Sequence, residues 1–213
     1  MPTDLSLLDL EQINRELRHK SAEEIIRWAV GLGRKTILTT SFGYNSAVPL
    51  HLVVSVDPAI PVVWVDSGYN VRDAYQVAEK LMDQLNLNMH IYYPEISAER
   101  RNAIMGGIPA IDEPNFEEFT RQVKLEPFAR ALAELKPEVW LTGIRKEETE
   151  HRRKLDIVSM DDRGILKVAP IFYWTDQQVL DYMKQHNLPG CKHYFDPTKV
   201  HEHRECGLHT RPI

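Results

Sequence analysis

Short runs of apolar and β-branched residues alternate with helical stretches along most of this chain. Residues 35–42 and 61–66 are two such runs, and each precedes a segment with helical periodicity. Runs at 89–93 and 139–144 repeat the pattern. Strands that alternate with helices form a parallel sheet, because each crossover helix packs back onto one of its faces. The sequence therefore predicts an α/β fold with a doubly wound, mostly parallel sheet of five to six strands and helices on both faces.

The last part of the chain departs from this alternation. Residues 157–160 and 165–168 are joined by a turn-forming Asp-Asp-Arg-Gly stretch, so we predict a hairpin-like pair there. Pro189 and the glycine after it end the last predicted helix. We expect residues 1–189 to form one α/β domain with N-terminal helices. Residues 190–213 would then form a mobile C-terminal tail.

Composition narrows the class of protein. A formal net charge of −5 argues against a general nucleic-acid binder, although it leaves room for a locally basic pocket. Residues 1–20 mix acids, bases and leucines, and no apolar run approaches the roughly 18 residues of a membrane span. Two cysteines in 213 residues fit a reducing compartment. We expect a cytoplasmic protein that binds neither membrane nor nucleic acid.

Three predicted strand ends carry groups that suit an anionic ligand, which in such sheets binds at the carboxyl ends of the strands. Glycine and hydroxyl groups before a helix can cradle a phosphate, a carboxylate can hold a sugar or base, and guanidinium groups bind phosphate or sulfate. A plain strand–helix turn and a solvated charged helix are the competing interpretations. The candidates are Ser41, Phe42, Gly43 and Ser46; Asp66, Ser67 and Gly68; and Gly143, Arg145 and Arg152.

A single cysteine near the end of the chain, Cys206, is surrounded by basic residues. Arg204, His209 and Arg211 lie within a few positions of it, and their positive charge would favour the nucleophilic thiolate. The competing interpretation is a solvated chain end with an incidental cysteine.

Taken together, these motifs resemble the 3′-phosphoadenylyl sulfate (PAPS) reductase family. The likeness runs from about residue 35 to residue 209, and the tail pentad is its most specific part. The motifs are Thr40-Ser41-Phe42-Gly43 with Ser46-Ala47; Asp66-Ser67-Gly68-Tyr69; Lys124-Leu-Glu-Pro127; Gly143-Ile-Arg145-Lys-Glu with Arg152; and Glu205-Cys206-Gly207-Leu208-His209.

The resemblance implies that residues 1–189 are an adenine-nucleotide-binding domain and that residues 190–213 are a catalytic tail. It also implies a role for each motif. The first turn would line a phosphate, Asp66 and Gly68 would hold the adenosine, and Lys124 with the two arginines would bind phosphate or sulfate oxygens. Cys206 would attack the sulfur of PAPS and form a thiosulfonate, which thioredoxin or glutaredoxin would then reduce. Arg204 and His209 would lower the pKa of the cysteine. The resemblance also suggests a homodimer.

The chain departs from the family pattern in its tail and beside Arg145. Residues 192–204 are shorter than the usual segment and lack its Gly-Tyr-x-Ser-Ile-Gly-Asp-like motif, which affects how the 3′ end of the nucleotide is held. Glu148 and Thr149 stand where the family commonly has Gln-Ser. A catalytically impaired nucleotide-binding paralogue is therefore a second hypothesis for the function.

The residue types also bear on cofactors and substrate. Cys191 and Cys206 are too few for a four-cysteine iron–sulfur cluster, so we expect no cofactor and prefer PAPS over adenylyl sulfate, with a cluster-free adenylyl-sulfate reductase as a third hypothesis. Asn45 replaces the acid that helps ATP-using members of this fold hold magnesium pyrophosphate, which argues against ATP chemistry. The histidines of the tail suit zinc by type, but their spacing matches no zinc finger, so we expect no metal.

Overall fold

The structure is a computed structural model that describes residues 3–199. Its centre is a six-stranded sheet in the order β3-β2-β1-β4-β6-β5. All neighbouring strands are parallel except β5 and β6, which form the antiparallel pair predicted from the turn between them. The doubly wound α/β fold is thereby confirmed. The strands are β1 (Thr36–Thr40), β2 (Val62–Val65), β3 (Met89–Tyr92), β4 (Val139–Leu141), β5 (Val158–Met160) and β6 (Leu166–Val168).

Helices connect β1 to β2, β2 to β3 and β3 to β4, and four of the eight α-helices in the described residues begin at a residue whose side chain caps them. Ser21 and Glu24 form a reciprocal capping box, which satisfies two backbone N–H groups at the start of the second helix. Short 3₁₀ turns lie at Leu5–Leu7, Lys146–Glu148 and Arg152–Lys154. The α-helices are α1 (Leu10–Leu17), α2 (Ala22–Gly31), α3 (Ala47–Val56), α4 (Arg72–Leu85), α5 (Ala98–Met105), α6 (Phe116–Thr120), α7 (Glu126–Leu135) and α8 (Asp176–Gln185).

Both faces of the sheet are covered. Successive strand residues point to opposite sides, so each face contributes side chains to a core of its own. In β4, Val139 and Leu141 join the large core formed with α2, α3, α4 and α8. Trp140, between them, belongs to a second core that includes Phe128 and Ala131 of α7. The two cores hold the strand ends in place from both sides.

Residues 116–135 form one continuous helical segment, which Pro127 does not break. Helix α6, a π-helical turn at Arg121–Leu125 and helix α7 follow one another without a gap. Pro127 is the second residue of α7 and follows the π turn closely. A proline within a helix removes one backbone hydrogen bond, and the helix departs from α-helical geometry just before it, at the π turn that contains Lys124.

Two kinds of feature are absent from the part of the chain that the structure describes. Within residues 3–199 no helix combines the length and apolar character that crossing a bilayer requires. Nor do these residues bring together three or more His, Cys, Asp or Glu side chains suited to a metal ion.

Candidate active site

A cavity of about 680 Å³ opens at the carboxyl ends of β1, β2 and β4. Parallel strands all end at this edge, so the three predicted strand-end motifs meet here. The π turn adds Lys124 from the side. The predicted residues that line the cavity are Ser41, Gly43, Ser46, Ser67, Lys124, Gly143, Arg145 and Arg152.

Glycines allow the backbone around the cavity to approach closely. A Cβ atom at Gly143 would lie 2.9 Å from Cγ of Pro49, so only glycine lets the end of β4 pack against the first turn of α3. Ser46 precedes α3, but its side chain makes no capping hydrogen bond to the helix. Ser46 therefore lines the cavity without that helical role.

Phe42 is a core residue and does not line the cavity. Its ring is fully buried and meets the ring of Trp64 edge-on at 4.8 Å. Its backbone has a φ of 49°, which is uncommon for a residue with a side chain. The contribution of Phe42 is to anchor the turn that presents Ser41 and Gly43.

Asp66 and Gly68 also lie outside the cavity lining, and Asp66 organises its own loop. One carboxylate oxygen, Oδ1, accepts hydrogen bonds from the Gly68 N–H at 3.0 Å, Asn70 Nδ2 at 2.9 Å and the Tyr75 hydroxyl at 2.8 Å. Burial and the bond to Asp66 raise the pKa of Tyr75 to about 12. The loop thereby holds Ser67 and Asn70 at the cavity wall. The adenosine-binding role of Asp66 and Gly68 stays a prediction.

Arg145 and Arg152 bring two buried guanidinium groups to the cavity, where Glu148 lies between them. Arg145 Nη2 lies 2.7 Å from Asp176 Oδ1 and 3.5 Å from Glu148 Oε1. Arg152 Nη1 pairs with Oε2 of the same Glu148. The Nε atom of Arg145 is buried without a hydrogen-bond partner. The negative charge that the sequence places beside Arg145 is thus bound to both arginines.

Lys124 faces the cavity from the π turn and pairs with Asp196. Its Nζ atom contacts Asp196 Oδ2 and lies 3.4 Å from the Thr198 hydroxyl. Burial alone would raise the pKa of Asp196, but the Lys124 charge and the hydrogen bonds from Lys124 and Thr198 outweigh it and lower that pKa. Asp196 is therefore an ionised partner of Lys124 at neutral pH.

Residues 191–199, which we call the strap, cross the cavity edge, and the sequence patterns did not identify them as site residues. Asp73 Oδ2 accepts hydrogen bonds from the backbone N–H groups of His193 at 3.0 Å and Lys192 at 2.6 Å. Those two bonds lower the pKa of Asp73. The strap residues that line the cavity are Tyr194, Phe195, Asp196, Pro197, Thr198 and Lys199.

The strap is held by one local turn, which the sequence signals, and by contacts with the rest of the domain, which it does not. Asp196 Oδ1 accepts from the N–H of Thr198 at 3.0 Å and from its hydroxyl at 2.7 Å, a turn typical of Asp-x-Thr. The Tyr194 ring packs edge-on against Tyr44 at 6.0 Å between centroids. Cys191 is buried, and its burial raises the pKa of its thiol. The division at residue 189 stays a prediction, since the strap contacts the domain at each of these points.

Cys206, Arg204 and His209 lie outside the described residues. Their predicted roles, and the reach of the tail toward the cavity, therefore stay predictions.

Comparisons with known proteins give the family. The model of the phosphoadenosine phosphosulfate reductase domain matches residues 35–197. A Synechocystis phosphoadenosine 5′-phosphosulfate reductase is 35% identical over 98% of this chain and 94% of its own. A Synechococcus protein of the same name is 38% identical over 86% of this chain and 79% of its own. The crystal structure of a Candida auris PAPS reductase, a phosphate complex, is 27% identical, with a TM-score of 0.78 over 90% of this chain and 92% of its own. The resemblance seen in the motifs is confirmed, and the chain belongs to the phosphoadenosine phosphosulfate reductase family.

Proposed function

We propose that this chain reduces PAPS to sulfite and adenosine 3′,5′-bisphosphate, as an oxidoreductase of sulfate assimilation. The observation that carries the proposal is the meeting of three basic side chains, two buried and one half-buried, at one cavity on the edge of the sheet. Lys124 comes from the π turn and the two arginines from the loop after β4, and all three line that cavity. A nucleotide with phosphate and sulfuryl groups supplies the negative charge that such a site selects.

In the first step, the Cys206 thiolate attacks the sulfur of the sulfuryl group. A sulfur–sulfur bond forms, the bond between sulfur and the bridging phosphate oxygen breaks, and adenosine 3′,5′-bisphosphate leaves with the electron pair. Lys124, Arg145 and Arg152 stabilise the charge that develops on the departing phosphate. Arg204 and His209 favour the thiolate form of Cys206. The product on the enzyme is a cysteine thiosulfonate.

In the second step, a dithiol protein removes the sulfonate. A thiolate of reduced thioredoxin or glutaredoxin attacks the Cys206 sulfur, and sulfite leaves with the electron pair of the sulfur–sulfur bond. The second thiol of the partner then attacks the mixed disulfide and restores the Cys206 thiol. The two electrons that reduce the sulfuryl group thus come from the partner, which ends as a disulfide.

No cofactor enters this sequence of steps. The chain has two cysteines, and Cys191 is buried with its sulfur 3.6 Å from Asp73 Oδ2. We propose that the enzyme is cluster-free and uses PAPS in preference to adenylyl sulfate. A cytoplasmic location, a homodimer and the absence of membrane and nucleic-acid partners stay predictions.

The test is sulfite release from PAPS and from adenylyl sulfate with reduced thioredoxin. We expect activity on PAPS that the Cys206→Ser substitution abolishes, and an adduct of SO₃ mass on Cys206 when the reductant is withheld. The Cys191→Ser variant is the matched control, because it removes the other thiol and should still form the adduct. Equal sulfite release by wild type and Cys206→Ser would refute the mechanism.

A further inference from the structure

Lys124, Arg145 and Arg152, which line the cavity, each already have a carboxylate partner. Lys124 is paired with Asp196, Arg145 with Asp176 and Glu148, and Arg152 with Glu148. These three acids line the same cavity as the cations. An incoming phosphate or sulfuryl group therefore meets paired cations, and it must displace a carboxylate or lie beside one.

One of the three acids differs from the others in where it lies along the chain. Glu148 is close in sequence to the arginines that it binds, and Asp176 begins α8, which is packed into the main core through Val179 and Met183. Asp196 lies on the strap, ten positions before Cys206. Ten extended residues span at most about 33–36 Å, so the position of the strap limits where the Cys206 sulfur can reach.

We propose that Asp196 is an exchangeable counter-ion, which a phosphate group of the bound nucleotide replaces at Lys124. The exchange releases residues 196–199 from the cavity edge. Binding of a nucleotide in the cavity is thereby coupled to release of the strap end that leads to Cys206. Asp196 is in this sense a positioning residue, and the inference rests on the function proposed above.

The strap has a separate anchor that the exchange leaves in place. Asp73, in the first turn of α4, holds the N–H groups of Lys192 and His193 and is not part of the cavity lining. The exchange therefore frees only the downstream part, where Thr198 is buried and its hydroxyl lies 3.4 Å from Lys124 Nζ. The strap opens about a fixed point instead of leaving the domain.

Hydrogen exchange of the wild-type chain tests this without any substitution. Saturating adenosine 3′,5′-bisphosphate should speed exchange at the Thr198 and Lys199 amides by roughly fivefold or more. The Lys192 and His193 amides, held by Asp73, are the internal control and should not change. Slower or unchanged exchange at Thr198 and Lys199 would overturn the proposal, because ligand binding would then hold the strap more tightly or leave it unchanged.

Binding affinity supplies a second test. Asp196→Asn removes the competing charge, so adenosine 3′,5′-bisphosphate should bind roughly fivefold more tightly or better. In a Lys124→Gln background the same substitution should have no further effect, since the pair is already broken. Asp176→Asn is the matched control: it removes a cavity carboxylate outside the strap and should leave the ligand-dependent exchange at Thr198 intact. Weaker binding by Asp196→Asn, or equal gains in both backgrounds, contradicts the proposal.

The two proposals fail in different ways. If the wild-type chain binds no adenosine 3′,5′-bisphosphate, the proposed function fails and this inference fails with it. If it binds the nucleotide and reduces PAPS while the amides of Thr198 and Lys199 stay protected, only the inference is lost.

Discussion

The loop after β2 and the cation cluster formed by Lys124, Arg145 and Arg152 lie at the same edge of one sheet, yet they use charge in opposite ways. In the β2 loop, Asp66 is surrounded by neutral donors from its own neighbourhood: a backbone N–H, an amide and a phenol. In the cation cluster, the partners of Lys124 and Arg145 include acids from distant segments, Asp196 and Asp176.

This difference in partners indicates that Asp66 has a structural role and that the cation cluster binds a ligand. Neutral donors that converge on one carboxylate shape a loop and leave little capacity for a ligand. Cations paired with acids across a cavity can exchange those acids for another anion, because the new partner satisfies the same charge. The β2 loop therefore supports the site, and the cation cluster is where we expect substrate to bind.

The largest expected effect follows from Arg145→Gln. Removing a guanidinium that stabilises charge on the leaving phosphate should lower kcat/KM for PAPS by roughly 10²–10³-fold. The assay is sulfite release at limiting PAPS, with circular dichroism to confirm folding. Arg121→Gln is the control, because Arg121 pairs with Glu118 on an exposed helix surface and should stay within about twofold of wild type. An equal loss of kcat/KM in Arg121→Gln would mean that the effect of Arg145→Gln does not come from its place in the cavity.

Asp66→Ala should act mainly on stability. It leaves the donors of Asn70, Tyr75 and Gly68 without their shared acceptor, at a cost of about 2–3 kcal/mol in the free energy of unfolding. Urea denaturation measures this change. If unfolding is unaffected while nucleotide affinity falls, Asp66 instead contacts the adenosine, as the family resemblance implies.

The smallest effect concerns pH and Tyr75. Its folded pKa is about 12 and its unfolded value is 10.0, so its contribution is fully present below pH 10 and is lost as pH rises toward 12. Tyr75→Phe should cost about 1 kcal/mol at pH 7, the typical value of one hydrogen bond. The difference in unfolding free energy between wild type and variant should shrink between pH 10 and 12. A pH-independent difference would mean that the pKa of Tyr75 is not raised in the folded protein.

Local sequence patterns were sufficient for much of the site. Arg145 and Ser41 follow buried strands, and parallel strands end at one edge, so the sequence alone predicts that they meet. The position of Glu148 between two arginines depends on the two 3₁₀ turns that follow β4, which no periodic pattern indicates. The sequence predicts that Asp66 binds a ligand. In the fold, however, its carboxylate accepts a hydrogen bond from the hydroxyl of Tyr75, nine positions later.

The strap is the largest part of the site that the sequence patterns did not predict. Its residues carry no regular helix or strand pattern, and chain ends are often disordered, so the sequence predicts a mobile segment over residues 190–213. What holds residues 191–199 is long-range: Asp73 and Lys124 lie far from them in sequence. Contacts of this kind leave no periodic trace in a single chain.

By itself, the sequence determined the alternation of strands and helices, the motifs at the strand ends and the family, because each of these depends on short-range order in the chain. Only the tertiary structure decided which charges face one another: Asp196 against Lys124, and Glu148 between Arg145 and Arg152. The physical reason is that charge pairing depends on distance in space, and folding sets that distance for residues that the chain keeps far apart.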